Sequence, residues 1–332
     1  MLAQSAQNGT RPAHRSATGA PGPETRLADA THMGAVELLV KDRRALEDFY
    51  VRGVGLTPLA LQPGRTILGL GDRPVVVLVD APGLEPSARG SAGLFHTAIV
   101  FDTPAELAAS LVRMWVRHPE LFEGPGDHLV SQAFYFHDPE GNGLELYWDR
   151  PRQTWEWIDG RVRMDTLSID PNAFLAEHLG AEATRGAIDQ ARQALSIPAG
   201  REVDADDALA VRGQVGHVHL QVGDVEEARR FYVDALGFEI THELGSSALF
   251  VSAGGYHHHM AMNVWNSRGA GLRAPGLGLG SVDILVPTAR DLAVAGERLR
   301  SHGVGVDDDG ARLLVDDPWG NRLRLSASPS PK

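Results

Sequence analysis

VELLVKDRRALEDFYVRGVGLTPL, residues 36–59, has a near-copy in VHLQVGDVEEARRFYVDALGFEIT, residues 218–241. In each, an aspartate (Asp42, Asp224) precedes Phe-Tyr by seven residues, and a glycine (Gly55, Gly237) follows the tyrosine by five. Apolar residues alternate before the aspartate, so each copy reads as a strand, an Asp N-cap and a helix. The phenylalanine pins that helix to a sheet and the glycine ends it.

A second pair of related segments lies downstream. LFHTAIVF (Leu94–Phe101) and SVDILVP (Ser281–Pro287) read as strands, each followed by a helical stretch. Both segments close on a hairpin, HDPEGNGLELY (His137–Tyr147) and DDPWGNRLRLS (Asp316–Ser326). The shared Asp-Pro-x-Gly-Asn core is turn chemistry, with Pro presetting φ and Gly-Asn tolerating positive φ. The period is that of one supersecondary unit, which cannot bury its sheet face alone. Four βαβββ modules follow, at about 33–90, 93–150, 213–266 and 278–327.

The expected class is α+β, with the modules forming two cupped, mixed half-barrel sheets and helices outside. Module order suggests a first domain over 33–150 and a second over 213–327. Residues 1–32, rich in Gly, Pro, Ala and Ser and without an apolar core stretch, read as a disordered tail. Residues 151–212 read as a linker holding a short helix at Pro171–Leu179 and an acidic stretch at Asp204–Asp207, with Trp155 and Trp157 anchoring it.

Composition narrows the chemistry. With 31 basic and 43 acidic residues the net charge is −12, which argues against nucleic acid or an anionic membrane as partner. No window is apolar enough for a membrane span, and a cytoplasmic location is expected. Cysteine is absent while histidine occurs 14 times, so a transition-metal site here must use imidazole and carboxylate.

The phrases GLFHTAIVF, DHLVSQAFYFHDPEGNGLELYWDRP and SALFVSAGGYHHHMAMNVWNSRG, set in four modules in register, resemble the vicinal-oxygen-chelate superfamily. The likeness spans Met33 to Ser326 and is strongest to two-domain catechol 2,3-dioxygenase-like members. It implies a 2-His-1-carboxylate site with ligands on the first strand of two modules and the last strand of one. The ligand slots fall at Ala35 and His217 in modules 1 and 3, and at His96 and Ser281 in modules 2 and 4. The carboxylate slot falls at Glu145 in module 2 and Arg324 in module 4. Arg cannot ligate a dication, so modules 3 and 4 give no site, and modules 1 and 2 lack one ligand. Only modules 2 and 3 supply a complete set: His96, Glu145 and His217.

The resemblance implies Fe(II), with Mn(II) accepted by the same ligands. It also implies an aromatic diol and O₂ as substrates, and it allows a homodimer. His258 aligns with the family's catalytic histidine, with His257 and His259 as rivals; alternation places Tyr256, His258, Met260 and Met262 on one face. Tyr135, ten residues before Glu145, and His128, seventeen before it, are expected to hydrogen-bond the substrate oxygens. His219, two past His217, competes as a ligand or lines the pocket. Arg324, Asp283 and Glu37 are expected to form a structural ion pair.

Two other functions compete. A glyoxalase-type isomerase or lyase wants a second carboxylate where His258 stands. A non-catalytic binding protein of the bleomycin-resistance kind has no use for the ligand set.

Overall fold

The computed structural model describes residues 26–195 and 211–328. Two eight-stranded mixed sheets carry the chain, with helices outside them. The sheets do not follow the two halves of the sequence. One joins modules 4 and 1, and the other joins modules 3 and 2.

In the second sheet the opening strands of modules 2 (Gly93–Phe101) and 3 (Gly213–Gln221) run antiparallel side by side, His219 opposite His96 and His217 opposite Ala98. The closing strand of module 2, Gly143–Asp149, lies parallel to Gly93–Phe101 with Glu145 beside Ala98. Ser131–His137 lies next, with Tyr135 opposite Glu145, and Phe122–Asp127 forms the edge. Positions of one parity therefore converge on the concave face, while the other parity (Val218, Leu220, Leu144, Leu146) is fully buried in the apolar core.

The helices start and stop as their residues dictate. Asp42 and Asp224 accept from the backbone N–H of Ala45 (3.1 Å) and Glu227 (2.8 Å), capping the first turns. Each short helix then widens into a π-helical turn, Phe49–Val54 and Arg230–Ala235, burying Phe49, Tyr50, Phe231 and Tyr232. Gly55, at φ 97°, closes the first of these turns.

A second joint ties modules within each half. Tyr50 in module 1 donates to Asp138 in the module 2 turn (3.2 Å), and Tyr232 in module 3 donates to Asp317 in the module 4 turn (2.9 Å). Asp317 also accepts from the backbone N–H groups of Trp319 and Asn321 and from the Asn321 amide, so the Asp of each Asp-Pro-x-Gly-Asn hairpin organises its own turn. Tyr232→Phe keeps the ring's packing but removes one donor from a buried carboxylate. It should cost about 1–2 kcal/mol in urea denaturation; a change within error would show the joint to be inert.

Residues 26–32 are ordered, which shortens the expected tail. Leu27 is buried and its N–H donates to Gly237 O (2.8 Å), and the first strand begins at His32. Residues 1–25 and the acidic stretch at 204–207 lie outside the described residues. The linker helix spans Pro171–His178, and a second helix, Ala181–Leu195, follows it. Trp155 is buried, whereas Trp157 is exposed and pairs through its strand with Val162. No helix among the described residues is long and apolar enough to cross a membrane.

Candidate metal centre

His96, Glu145 and His217 meet on the concave face of the sheet that joins modules 2 and 3, within one chain. All three are buried, and one donor atom from each lies within 4.8 Å of the other two. His96 Nε2 stands 3.0 Å and His217 Nε2 3.1 Å from the same oxygen, Glu145 Oε2. Small neighbours make room for this convergence, with Ala98 and Ala133 on the same face. Just before His217, Gly216 has no side chain, and a Cβ there would stand 1.8 Å from the Tyr147 hydroxyl.

The group has the properties of a ligand set. Burial alone would push the Glu145 carboxyl up, but His217 and His96 outweigh it and hold the carboxyl well below the usual carboxylate range. Burial drives His217 down to about 4 despite Glu145, leaving a neutral imidazole at pH 7. Carboxylate and neutral imidazole are the forms that offer lone pairs to a cation. Among the described residues His96 Nε2, close to the carboxylate, makes no well-aligned hydrogen bond, and His217 Nδ1 has no partner. Two atoms bound to one ion at about 2.1 Å and at right angles lie about 3.0 Å apart. Both nitrogen–oxygen spacings therefore fit donors that would hold one small dication at the wall of the cavity.

That cavity has a volume of about 800 Å³, and His128, Tyr135 and His258 all line it. Tyr135 OH is 2.7 Å from His128 Nε2, and His128 Nδ1 is 3.0 Å from the Asp165 carbonyl. Burial, then the charge of Glu145, pushes the Tyr135 phenol well above its ordinary value, so it keeps its proton. His219 also lines the cavity, its ring 4.9 Å from that of His96, but Nε2 is engaged by the Asn263 amide (2.9 Å) and it stands outside the ligand group.

The His-His-His run departs from simple alternation. Its strand begins only at Met260, after the turn at Gly254-Gly255, and His219 lies beside Ala261, which puts Met260 and Met262 in the core. Tyr256 turns away to Asp149 (2.7 Å) and does not share a face with His258. His258 nevertheless reaches the cavity, its ring 4.1 Å from that of His217. Neither His257 nor His259 lines the cavity: the first is 2.8 Å from Asp149 Oδ1, and the second is held through Nδ1 by Ser252 Oγ and Ala253 N.

His259 gives a pH test. Burial lowers its imidazole from 6.5 to about 3. The unfolded chain therefore takes up this proton first on acidification. Its contribution to stability is present above about pH 6.5 and is lost as pH falls toward 3. Thermal unfolding of metal-free protein should shift downward from pH 7 to 4.5, with a shallower slope in His259→Gln; equal slopes would contradict this account.

Among the described residues, the equivalent face of the other sheet holds no such group. Arg324 occupies the carboxylate slot and pairs with Asp283 through two contacts (2.6 and 2.8 Å), while Glu37 pairs with Arg65 (2.9 Å) rather than with Arg324. Ala35 and Ser281 are buried without a ligand partner nearby among the described residues.

Residues not anticipated as part of the site come from the linker and from Asp149. Met164, Asp165 and Thr166 line the cavity, placed there by paired backbone hydrogen bonds between Asp127 and Leu167 (2.9 and 2.8 Å). Asp149 shares a strand face with Glu145 and Tyr147, a signal that period-two alternation already carried.

The family description Glyoxalase/Bleomycin resistance protein/Dioxygenase superfamily matches residues 32–146 and 214–325. This chain belongs to that superfamily. Over 302 residues it is 33% identical to the catechol-2,3-dioxygenase of Bacillus subtilis (strain 168), covering 89% of this chain and 96% of the relative. It is 39% identical over 89 residues to biphenyl-2,3-diol 1,2-dioxygenase 2 of Rhodococcus globerulus, covering 26% of this chain and 46% of that protein. Its fold is shared with a solved structure from Bacillus subtilis subsp. subtilis str. 168 (TM-score 0.59, 14% identity, 92% of this chain and 86% of that one). It is also shared with the cppA protein of Streptococcus pneumoniae TIGR4 (TM-score 0.52, 11% identity, 91% and 100%). The chain is thus a catechol-2,3-dioxygenase-like enzyme of the superfamily.

Proposed function

We propose that the chain is an Fe(II)-dependent extradiol ring-cleaving dioxygenase acting on a catechol-type aromatic diol and O₂, with His96, Glu145 and His217 holding the metal. Mn(II) suits the same donors. The carrying observation is that this buried ligand group opens on one cavity that also receives His258, Tyr135 and His128. The likeness to catechol-2,3-dioxygenase over most of both chains supports the substrate class.

Bound iron would acidify a ligated catechol hydroxyl and bring O₂ beside the ring. The protein's own groups do the rest. His258, against His217, takes the second hydroxyl proton at its cavity-facing ring nitrogen and returns it later. Tyr135 keeps its proton and donates it to the bare Nε2 of His128, whose Nδ1–H is taken by the Asp165 carbonyl, so the phenol oxygen is set to accept a hydrogen bond from a substrate hydroxyl. Phe250 and Trp265 supply apolar wall for an aromatic ring.

The test is anaerobic Fe(II) loading followed by catechol and O₂. A yellow ring-cleavage product is expected. An iron-loaded protein that turns over no catechol would move the reading to the metal-dependent isomerase.

A further inference from the structure

Behind His258 lies a chain of hydrogen bonds that metal ligation does not use. His258 Nδ1 is 2.7 Å from His257 Nδ1, and His257 Nε2 is 2.8 Å from Asp149 Oδ1. The other carboxylate oxygen, Oδ2, accepts from the Tyr256 hydroxyl (2.7 Å), which in turn lies 2.7 Å from the Tyr147 hydroxyl. His257 is fully buried, with Trp155 packed on its ring at 5.2 Å.

From this geometry we propose that Asp149 and His257 are positioning residues that fix the tautomer and ring orientation of His258, presenting the lone pair of its Nε2 to the cavity. The acid–base use of that lone pair rests on the dioxygenase reading; the tautomer does not.

The assignment follows from donor and acceptor rules. An ionised carboxylate only accepts, so His257 carries its proton on Nε2. With one proton on each ring, His257 Nδ1 is then bare and can only accept. The facing Nδ1 of His258 must therefore hold the single proton between the two rings. That leaves His258 Nε2 unprotonated, on a side chain that lines the cavity. Orientation by a carboxylate acting through a ring nitrogen is how buried acids direct catalytic histidines elsewhere. Here the effect passes through an intervening imidazole.

Asp149 is well placed for the task. It lies on the same strand as Glu145, four residues on, so the anchor of His258 and the carboxylate ligand move together. Tyr256 occupies its second oxygen and leaves Oδ1 for His257.

The experiment has two arms. In metal-free protein with ¹⁵N-labelled histidine, two-bond ¹H–¹⁵N correlations read each tautomer, with His257→Asn and His258→Asn providing assignments. The wild type should show His257 protonated at Nε2 and His258 at Nδ1. In Asp149→Asn the amide can donate to His257 Nε2, and both tautomers should reverse. In the second arm, iron-loaded Asp149→Asn should lose about 10²-fold in kcat with KM within about twofold, and Asp149→Glu should recover part of it. Melting temperature and bound iron, measured alongside, separate this loss from misfolding or metal loss. A wild-type His258 protonated at Nε2, or an Asp149→Asn protein with unchanged tautomers and wild-type kcat, overturns the proposal. If the wild type cleaves no catechol, the dioxygenase reading fails and the tautomer arm alone decides the positioning role.

Discussion

Glu145→Gln should abolish metal binding while leaving the metal-free fold intact. The carboxylate is the only anion in the ligand group, and both histidines face its Oε2 at 3.0 and 3.1 Å. An amide keeps the shape but offers a neutral, weaker donor. The loss in affinity should exceed the roughly 10–100-fold that outer-shell changes cost. The folded state holds the Glu145 carboxyl well below its ordinary range, so the metal-free variant should melt somewhat lower than the wild type, and each protein is compared with its own metal-free melt. Fe(II) at a thousandfold excess over Kd adds about 4 kcal/mol to a protein that binds it. Anaerobic thermal melts should therefore rise by several degrees with Fe(II) in the wild type and stay flat in Glu145→Gln. Equal rises in both would remove Glu145 from the site.

His258→Gln should separate chemistry from metal binding. The ring lies against His217 and lines the cavity, but it stands outside the ligand group. Glutamine preserves polarity and bulk but has no ring nitrogen that can take up a proton. Iron content should stay at the wild-type level while kcat falls about 10²–10⁴-fold, the usual contribution of a positioned acid–base. His259→Gln is the natural comparison, since its ring is held by Ser252 and Ala253 away from the cavity. Its kcat should be unchanged. The reverse pattern, with His259 needed and His258 dispensable, would reassign the catalytic histidine.

Local chemistry made much of this readable from residues alone. The Asp caps, the Phe-Tyr pair and the Asp-Pro-x-Gly-Asn turns are short-range signals, and each repeats. His96, Glu145 and His217 could be placed because the resemblance to the superfamily implies ligand slots, and those slots lie at fixed offsets from these signals. Joining modules 2 and 3 followed from chemistry, since Arg324 and Ala35 cannot ligate.

What stayed hidden depends on contacts between distant segments. The pairing of module 1 with module 4 is set by strands nearly 250 residues apart, and no local pattern announces it. The His257–His259 run misled because alternation holds only inside a strand, and this one starts at Met260, past the Gly254 turn. At Gly254, φ is +60° and a Cβ would stand 2.1 Å from Asp29 O, so the ordered segment before the first strand helps shape the run. The linker looked like a spacer, yet Asp165 supplies the carbonyl that orients His128.

The central claim is one metal site per chain, built from modules 2 and 3 of the same molecule. Anomalous diffraction at the iron edge, from crystals loaded anaerobically, tests it most directly. The account predicts one strong peak per chain, about 2.0–2.2 Å from His96 Nε2, His217 Nε2 and a Glu145 oxygen. Iron bound elsewhere, or a site completed by residues of a second molecule, would contradict it.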